Sequence, residues 1–305
     1  MREISDITKE AGFAPCRRTA SEVTTFFGGG TLNCVYEPKS MVEFKALLGI
    51  FVDAGEEAFL LGGGSNVIVA DGVVDRPIIS TKRLNKIRIE NGLVFAECGA
   101  KISDVARQAR QYDLGGLEYL AGVPLTLGGA LKMNASAFGR EIADFVQSAF
   151  IFSSRACKTP ECDTRAKAPR ERVRTLKRDE IDFAYRKGVR GTILGGVLKL
   201  DKADGAQSLE KAREYVAQRR AKQPREHSCG SVFKNGAVPS GKLIEACGLK
   251  GLRVGGAKIS EKHANFIVNT GGATASDFLS LVEICEREVL KKFGIRLERE
   301  FVLVK

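Results

Sequence analysis

The pattern of apolar and polar positions predicts alternating strands and helices over about the first 200 residues. Short apolar runs bounded by Gly, Pro, Asn or Asp predict strands, and apolar residues three and four positions apart predict helices. Asn91-Gly92 between Ile87–Ile89 and Leu93–Cys98 is the clearest local signal and predicts a β-hairpin. Further strands are predicted at Cys34–Tyr36, Phe59–Leu61, Val67–Val69, Pro77–Ser80, Val173–Leu176 and Ile193–Leu200, and helices at Met41–Asp53 and Ser103–Tyr112. This half of the chain is therefore predicted to be α+β.

The pattern also divides the chain into two predicted domains. A length of 305 residues favours two domains. Residues 1–201 form the first predicted domain, with two lobes at roughly 17–83 and 84–201. Residues 1–22 are interpreted as a poorly determined lead-in, and Asp201–Gly205 is the predicted linker to the second domain. The second domain, 206–305, is predicted to contain helices from Ser208 to Lys222, from Gly241 to Cys247 and from a Thr274–Asp277 capping box to Gly294, and then a final strand, Leu297–Val304.

Two glycine-rich segments are candidates for binding an anionic cofactor. Gly62-Gly63-Gly64-Ser65-Asn66 lies between two apolar runs, which predicts a strand–loop–strand turn and argues against Rossmann and Walker loops, since both continue into a helix. Leu117–Gly139 is interpreted as a second loop, without an acidic side chain between Glu118 and Glu141. Each alone is more typical of a tight turn. Together they favour a diphosphate cofactor bound by main-chain N–H groups between two lobes.

The charge of the chain narrows the classes of partner. Lys and Arg exceed Asp and Glu by 48 to 37, a formal charge of +11. There is no Trp and no basic stripe with interleaved aromatics, so a small polyanion fits better than nucleic acid. No apolar run is long enough to span a membrane, and the N-terminal residues show no secretory signal.

The cysteine and histidine content argues against a disulfide framework or a metal site. The 8 cysteines are scattered along a long chain, which is typical of a reduced cytoplasmic protein. Cys157 and Cys162 have the spacing of half a zinc site, but no second pair follows and only His227 and His263 are present. We therefore expect no metal.

A polar, basic stretch at 153–174 interrupts the predicted strands. Pro160 and Pro169 lie within it, and it is interpreted as an exposed insertion in a strand pair. A solvated surface is the simpler interpretation of its charge, and docking of an acidic partner is the alternative.

Four motifs resemble the UDP-N-acetylenolpyruvoylglucosamine reductase family, and the resemblance extends from about Arg17 to Lys305. The motifs are LGGGSN (Leu61–Asn66), LAGVPLTLGGALKMNASAFG (Leu120–Gly139), CGSVFKN (Cys229–Asn235) and SEKHANFIVNTGGATASD (Ser260–Asp277). The resemblance implies a two-lobed FAD-binding domain of the vanillyl-alcohol-oxidase (PCMH) type, followed by a smaller α+β substrate domain. It also implies non-covalent FAD, NADPH as hydride donor, and reduction of an enolpyruvyl nucleotide sugar to UDP-N-acetylmuramate for the bacterial cell wall.

The same resemblance implies roles for individual residues. Ser231 is the implied proton donor, Glu300 the carboxylate that polarises the enol ether, and Arg186 the partner of the substrate carboxylate. The implied cofactor contacts are Gly62, Gly63, Gly64, Ser65, Asn66, Ala121, Gly122, Val123, Pro124, Thr126, Gly128, Gly129, Ala130 and Asn134. The implied substrate contacts are Tyr185, Lys234, Asn235, Lys262, His263 and Asn265. Lys234 or Lys262 is the expected source of a cation near Ser231.

This chain departs from the family's pattern at several positions. Gly188 stands where the family usually has a Ser, two positions after the arginine that Arg186 matches. Leu125, Lys132 and Gly236 replace a usual Gly, Tyr and Pro. Val23 and Phe27 also differ, at the edge of the cofactor region. None of these changes removes an implied catalytic group, and the absence of an extra tyrosine loop favours the shorter type of the family.

Three functions are compatible with the sequence: the reductase, a flavin oxidase with the same cofactor fold, and a divergent binding protein without turnover. Covalent attachment of flavin often uses His, and no His lies near either glycine-rich segment. The joint presence of Ser231, Glu300 and Arg186 argues against a protein without activity. A monomer is expected, while the preference for NADPH over NADH and the role of 153–174 stay open.

Overall fold

The structure, a computed structural model, describes residues 4–153 and 172–305. Its α-helices are α1 (Ile4–Glu10), α2 (Ala20–Val23), α3 (Met41–Ala54), α4 (Ile102–Arg110), α5 (Leu127–Met133), α6 (Gly205–Lys222), α7 (Ser240–Ala246) and α8 (Ala275–Phe293). Its strands are β1 (Cys16–Thr19), β2 (Thr31–Tyr36), β3 (Phe59–Leu61), β4 (Val67–Val69), β5 (Val73–Val74), β6 (Ile78–Ser80), β7 (Ile87–Glu90), β8 (Leu93–Glu97), β9 (Leu114–Gly115), β10 (Ser136–Ala137), β11 (Arg140–Glu141), β12 (Val146–Phe152), β13 (Val173–Lys177), β14 (Thr192–Lys199), β15 (Asp201–Lys202), β16 (His227–Ser231), β17 (Arg253–Val254), β18 (Ala257–Ile259), β19 (Phe266–Asn269) and β20 (Val302–Val304). The predicted α+β class is confirmed.

The chain folds into two compact units that interleave along the sequence. Among the described residues, unit 1 contains 4–14, 36–62, 79–153 and 172–216, and unit 2 contains 15–35, 63–78 and 217–305. This division reflects the contacts within each unit and does not show which unit binds which ligand. The assignment of 1–201 to the cofactor and 206–305 to the substrate therefore stays a prediction.

The main sheet of unit 1 is antiparallel, in the order β13-β12-β14-β8-β7. The predicted hairpin around Asn91-Gly92 is confirmed as β7 and β8, since both turn residues have positive φ, +52° and +75°. Helices α4 and α5 pack against this sheet. Val94 and Ala149 on the sheet, with Val105 on α4, are fully buried and form part of the core.

Helix α3 confirms the helix predicted after Ser40. The Ser40 hydroxyl accepts a hydrogen bond from the Glu43 N–H, and Gly55 ends the helix with φ +72°. The predicted insertion at 153–174 lies mostly outside the described residues. Its described ends are paired, because Phe152 of β12 is opposite Val173 of β13.

Part of the segment interpreted as a loop, Leu117–Gly139, is helical. Glu118–Leu120 is a 3₁₀ turn and Leu127–Met133 is α5. The Thr126 hydroxyl accepts from the Gly129 N–H, and Asn134 ends the helix with φ +45°. The loop interpretation was wrong here because Gly128 and Gly129 occupy the first turn, where a good N-cap offsets their low helix propensity.

Unit 2 is built around an antiparallel sheet in the order β16-β19-β18-β17. Its core includes Phe233, Ile267 and Phe278, all almost fully buried, with α8 supplying much of the apolar surface. The predicted capping box at Thr274 and Asp277 is confirmed, and Gly294 ends α8 with φ +67°.

Three boundary predictions need correction. The final strand is shorter than Leu297–Val304: it is β20, paired in parallel with β4, and Glu300 precedes it. Asp201 is not linker, because it pairs with Gly115 as part of β15, and α6 begins at Gly205. The described part of the lead-in contains α1, β1 and α2. Strand β1 pairs with β2, and a Thr19–Glu22 capping box, a local signal that the sequence analysis did not use, starts α2.

Candidate active site

Four of the five residues of the first glycine-rich segment, Gly63–Asn66, lie in unit 2 directly before β4. The strand–loop–strand interpretation is confirmed, with β3 before the glycines and β4 after them. Gly64 has φ +69°, and a Cβ there would lie 2.0 Å from the Val23 carbonyl oxygen. The Gly64 carbonyl accepts from the Thr25 N–H at 3.2 Å. Only glycine allows this approach of the two backbones.

Asn66 connects this loop to the segment that contains Glu300. Its side-chain amide donates to the Glu300 carbonyl at 3.0 Å, and its own carbonyl accepts from the Val302 N–H at 2.9 Å. The predicted cofactor residue Asn66 therefore also fixes the backbone on both sides of Phe301.

Ser231 ends β16, which contains a β-bulge. The strand pairs with β19 at Ser228 and again at Ser231, and the register shifts between them. Gly230, in the bulge, has φ +81°. The Ser228 carbonyl accepts from the Thr25 hydroxyl at 2.7 Å. A bulge bends its strand and re-aims the side chain that follows it, which here is Ser231.

Ser231 and Glu300 lie on neighbouring backbone segments within unit 2. Residues 298–300 run antiparallel to 232–234, because the Glu300 N–H donates to the Val232 carbonyl and the Lys234 N–H to the Glu298 carbonyl, both at 2.8 Å. The Glu300 Oε2 atom is buried. The structure therefore brings the predicted proton donor and the predicted catalytic carboxylate together.

Burial and charge also affect the Cys229 thiol and the Lys234 amine, which lie on or beside these segments. Burial raises the pKa of the Cys229 thiol to about 12, and the negative charge of Glu300 adds to the effect. The Lys234 amine forms an ion pair with the Glu298 carboxylate. That ion pair offsets much of the charge that was expected to support Ser231.

The predicted substrate residue Asn265 is fully engaged with the backbone of Phe233. Its side-chain carbonyl accepts from the Phe233 N–H at 2.9 Å, and its amide donates to the Phe233 carbonyl at 2.8 Å. Asn265 is only 1% exposed. Asn235 is exposed, and its side chain accepts from the Ser240 N–H at 3.1 Å at the start of α7.

His263 packs beside α7. A Cβ on Gly241 would lie 3.1 Å from the His263 ring carbon Cε1, so the glycine permits this contact. Burial lowers the pKa of His263, and its Nδ1 accepts from the Asn265 N–H at 3.2 Å. A neutral imidazole follows from this arrangement near neutral pH.

Lys262 lies at a basic cavity of about 350 Å³ in unit 2. The cavity is lined by Pro224, Arg225, Glu226, Lys258, Ser260, Glu261 and Lys262. The Lys262 amine donates to the Arg220 carbonyl at the end of α6. The lining holds three cations and two carboxylates, and the Lys258 amine pairs with the Glu261 carboxylate at 3.1 Å. The side chains that line the cavity therefore carry a net charge of +1, which favours an anionic ligand group.

The second predicted cofactor segment lies in unit 1 with Gly62. A Cβ on Gly62 would lie 2.8 Å from the Thr126 hydroxyl oxygen, and one on Gly128 would lie 3.0 Å from Cys98. Asn134 is fully buried: its amide donates to Glu141 at 2.9 Å and its carbonyl accepts from the Ala143 N–H at 3.3 Å. The glycines thus let these segments approach each other closely.

Arg186 and Tyr185 also lie in unit 1. Arg186 has φ +55°, and its guanidinium lies over the Tyr185 ring at 4.8 Å and donates to the Ser136 hydroxyl at 2.9 Å. A left-handed φ at a non-glycine residue costs energy and is frequent at functional sites. Gly188 follows, and a Cβ there would lie 1.9 Å from the Leu131 carbonyl oxygen.

The predicted residues thus divide between the units. Gly63–Asn66, Ser231, Glu300 and the residues from 234 to 265 belong to unit 2, whereas Gly62, the 121–134 segment and Arg186 belong to unit 1. Sequence reasoning missed Thr25, which contacts both Gly64 and Ser228. It also missed Arg219, whose pKa is lowered by burial. In the sequence, Arg219 is one of two adjacent arginines near the end of a polar helix, and this pattern does not indicate which of the two is half-buried.

Metal sites and membrane-spanning helices are two further classes of feature. Within residues 4–153 and 172–305, no cluster of three or more His, Cys, Asp or Glu side chains has the arrangement of a metal site. None of the helices described in the same ranges combines the length and apolarity needed to cross a membrane.

Comparisons with known proteins identify the family of the chain. Residues 223–304 match the family of the UDP-N-acetylenolpyruvoylglucosamine reductase C-terminal domain, and residues 32–154 match an FAD binding domain family. Reductases of that name from Shouchella clausii and Caldicellulosiruptor bescii are 38% and 39% identical, covering 95% and 93% of this chain and 88% of each relative. The crystal structure of the reductase from Thermus caldophilus aligns with a TM-score of 0.77 at 29% identity, over 96% of this chain and 100% of that one. The predicted FAD-binding domain is confirmed, and the domain that follows it is the C-terminal domain of the reductase family. This chain belongs to the UDP-N-acetylenolpyruvoylglucosamine reductase family.

Proposed function

We propose that this protein reduces UDP-N-acetylglucosamine enolpyruvate to UDP-N-acetylmuramate, with bound FAD and with NADPH as hydride donor, in the synthesis of peptidoglycan precursors. The observation that carries the proposal is the placement of Ser231 and Glu300 on adjacent hydrogen-bonded segments next to the Gly63–Asn66 loop. This pairing occurs in a chain whose relatives carry the reductase name.

The two glycine-rich segments fit the diphosphate of FAD. Gly62 meets Thr126 closely only because residue 62 has no Cβ. Neither Gly62–Asn66 nor Ala121–Asn134 contains an acidic side chain that would repel phosphate. Main-chain N–H groups and the small side chains of these segments would hold the cofactor. When bound, FAD supplies the hydride that is added to the substrate.

Ser231 and Glu300 then complete the reaction on the enolpyruvyl group. Hydride addition to the terminal carbon leaves negative charge on the adjacent carbon, which must receive a proton. Ser231 donates that proton from its hydroxyl, and the carboxylate of Glu300, whose Oε2 atom is buried, polarises the enol ether. Ser is a weak acid, so its position relative to the carbon must be well defined.

Cationic side chains bind the anionic parts of the substrate. Arg186 pairs with the carboxylate of the enolpyruvyl group, since a guanidinium matches a carboxylate with two parallel hydrogen bonds. Lys262, with Arg225 at the same cavity, contributes positive charge for the nucleotide diphosphate. Tyr185, Lys234, Asn235 and His263 complete the proposed substrate contacts, and Asn265 supports them through the Phe233 backbone.

We further propose that the protein acts as a cytoplasmic monomer, without a nucleic-acid or membrane partner. Its substrates, a nucleotide sugar and NADPH, are small anions that match a formal charge of +11. Among the described residues, six cysteines are free thiols, as expected in a reducing compartment.

The test combines colour and turnover. The purified protein should be yellow and should release its flavin on denaturation, and it should oxidise NADPH only when the enolpyruvyl nucleotide is added. Flavin that stays on the denatured chain would contradict non-covalent binding. A flavin-loaded protein that oxidises NADPH at the same rate with and without the nucleotide would contradict the reductase function.

A further inference from the structure

Thr25 lies between the cofactor loop and the strand that ends in Ser231. Its N–H donates to the Gly64 carbonyl at 3.2 Å, and its hydroxyl donates to the Ser228 carbonyl at 2.7 Å. We propose that Thr25 is a positioning residue, which fixes the bulged strand to the cofactor loop and thereby aims the Ser231 hydroxyl at the carbon it protonates. This inference rests on the proposed reductase function.

The β-bulge in β16 is the reason why Ser231 needs a contact from outside the sheet to set its direction. Pairing of β16 with β19 shifts register between Ser228 and Ser231, and Gly230 has φ +81°. A bulge disrupts the hydrogen-bond ladder and lets the strand bend, so the direction of Ser231 is not set by the sheet alone. The Thr25 hydroxyl supplies a hydrogen bond at the first residue of the irregular stretch.

The backbone around Thr25 is itself held in place. The Asn269 amide donates to the carbonyls of Phe26 and Phe27 at 3.0 and 3.1 Å. The Phe27 ring stacks on His227, with centroids 4.0 Å apart, at the other end of β16. The Thr25 hydroxyl is therefore presented to Ser228 from a backbone that is fixed on its C-terminal side.

Glu300 is held to the same loop by a different residue. The Asn66 amide donates to the Glu300 carbonyl at 3.0 Å. The loop thus orients the two catalytic groups through separate contacts, Thr25 for the strand of Ser231 and Asn66 for Glu300. Removal of the Thr25 hydroxyl should move Ser231 more than Glu300, because the Asn66 contact and the bond from the Glu300 N–H to the Val232 carbonyl stay in place.

The test uses Thr25→Val, which keeps the side-chain volume and removes the hydroxyl, and Thr25→Ser, which restores it. In the flavin-loaded enzyme, rapid mixing measures flavin reduction by NADPH and reoxidation by saturating enolpyruvyl nucleotide separately. Thr25→Val should leave flavin content and reduction unchanged and slow reoxidation roughly 10-fold, because a small displacement of a reacting group is costly. Thr25→Ser should lie within about 3-fold of wild type.

A second readout does not depend on activity. Hydrogen exchange of flavin-free protein should show faster exchange in Thr25→Val for peptides covering residues 228–234, with little change for residues 298–304. The matched control is Thr24→Val, which removes a neighbouring buried hydroxyl that donates to the Ala20 carbonyl at 2.8 Å. Thr24→Val should keep wild-type exchange at 228–234 and a reoxidation rate within about 2-fold.

The outcomes separate the inference from the function on which it rests. Failure of wild-type protein to be reoxidised by the nucleotide overturns the reductase function. If wild type is reoxidised and Thr25→Val matches it in rate and exchange, the positioning role is wrong. Equal slowing by Thr24→Val and Thr25→Val would show a general loss of stability and would also overturn the inference.

Discussion

At the scale of single residues, Ser231 depends on its surroundings because a hydroxyl is a weak acid. The cations expected to assist it are both engaged: Lys234 pairs with Glu298, and Lys262 donates to the Arg220 carbonyl. The described contacts near Ser231 are instead backbone hydrogen bonds that set its position. Position is therefore the main contribution that the described structure makes to this residue.

We expect Ser231→Ala to separate the two half-reactions. Flavin content and reduction by NADPH should stay near normal, because neither needs a proton on carbon. Reoxidation by the enolpyruvyl nucleotide should slow by roughly 10²–10⁴-fold, the usual contribution of a positioned general acid. Rapid-mixing absorbance of the flavin measures both steps.

Ser228→Ala is the control for Ser231→Ala, three residues earlier in the same strand. Only the Ser228 carbonyl, which the substitution keeps, accepts the Thr25 hydroxyl bond. The rate of reoxidation should therefore change little. Damage from Ser228→Ala with tolerance of Ser231→Ala would show that the proton donor has been assigned to the wrong serine.

At Gly188 the backbone of this chain leaves no room for the Ser that the family usually has. Its N–H donates to the Lys132 carbonyl at 3.1 Å, and a Cβ would lie 1.9 Å from the Leu131 carbonyl oxygen. Gly188→Ser should therefore lower the free energy of unfolding by about 1–3 kcal/mol, as measured by thermal or urea denaturation. Gly188→Ala should cost about the same, since the Cβ is the cause.

The control for Gly188 is Gly236→Ser, at another position where this chain departs from the family. No described heavy atom lies within 4 Å of a Cβ at Gly236. The substitution should change the free energy of unfolding by less than about 0.5 kcal/mol. Equal stability of Gly188→Ser and wild type would show that the end of α5 shifts freely.

At the scale of elements, the N-terminus of α8 is capped by a residue far away in sequence. The Asp71 carboxylate accepts from the N–H groups of Ala275 and Ser276 at 2.7 and 2.8 Å and from the Ser276 hydroxyl at 2.6 Å. The Asp277 carboxylate accepts from the Gly256 N–H at 3.2 Å. One helix terminus thereby organises three parts of unit 2.

The Asp71 cap predicts a pH-dependent stability. Burial alone would raise the pKa of Asp71, but the hydrogen bonds from Ser276 and Ala275 outweigh it and hold the pKa below the ordinary 3.8. A lowered pKa in the folded state stabilises the protein above the ordinary value, and this contribution is lost as the pH falls through the folded pKa. Asp71→Ala should cost about 1 kcal/mol near neutral pH.

Urea denaturation over a pH series measures this difference between wild type and Asp71→Ala. The difference should be constant at neutral pH and shrink as the pH approaches and passes below 3.8. Asp75→Ala is the control, because it removes a nearby carboxylate that accepts from the Asn33 side chain at 2.9 Å and not from the N-terminus of α8. A pH-independent difference for Asp71→Ala would show that the charge of the cap contributes nothing.

At the scale of the whole molecule, the predictable features are those with local signals. The Asn91-Gly92 hairpin and the helices that start at Ser40 and Thr274 follow from turn and cap residues within a few positions. The contacts of Thr25 with Ser228 and of Asn66 with Glu300 join residues about 200 positions apart. Such pairs are decided by tertiary packing, so no local pattern predicts them.

The net charge gives a prediction for the molecule as a whole. A formal charge of +11 attracts both the nucleotide sugar and NADPH, and salt screens this attraction, with a Debye length of about 10 Å at 0.1 M and about 3 Å at 1 M. The Michaelis constant for each substrate should therefore rise severalfold over this range of salt, while kcat changes little. Duplex and single-stranded DNA should bind only weakly, with affinity lost near physiological salt.

A pair of charge variants shows whether this attraction arises at the cavity or from the whole surface. Lys262 lies at the basic cavity, whereas Lys291 is exposed in the last turn of α8. Lys262→Met should raise the Michaelis constant for the nucleotide sugar several-fold and reduce its dependence on salt, because the substitution removes an exposed charge at the binding cavity and with it the part of the attraction that salt screens. Lys291→Met removes the same charge and should leave both quantities near wild type. Equal effects of the two variants would assign the attraction to net charge alone, and salt-tolerant, sequence-selective binding of DNA would contradict the proposed specificity for small anions.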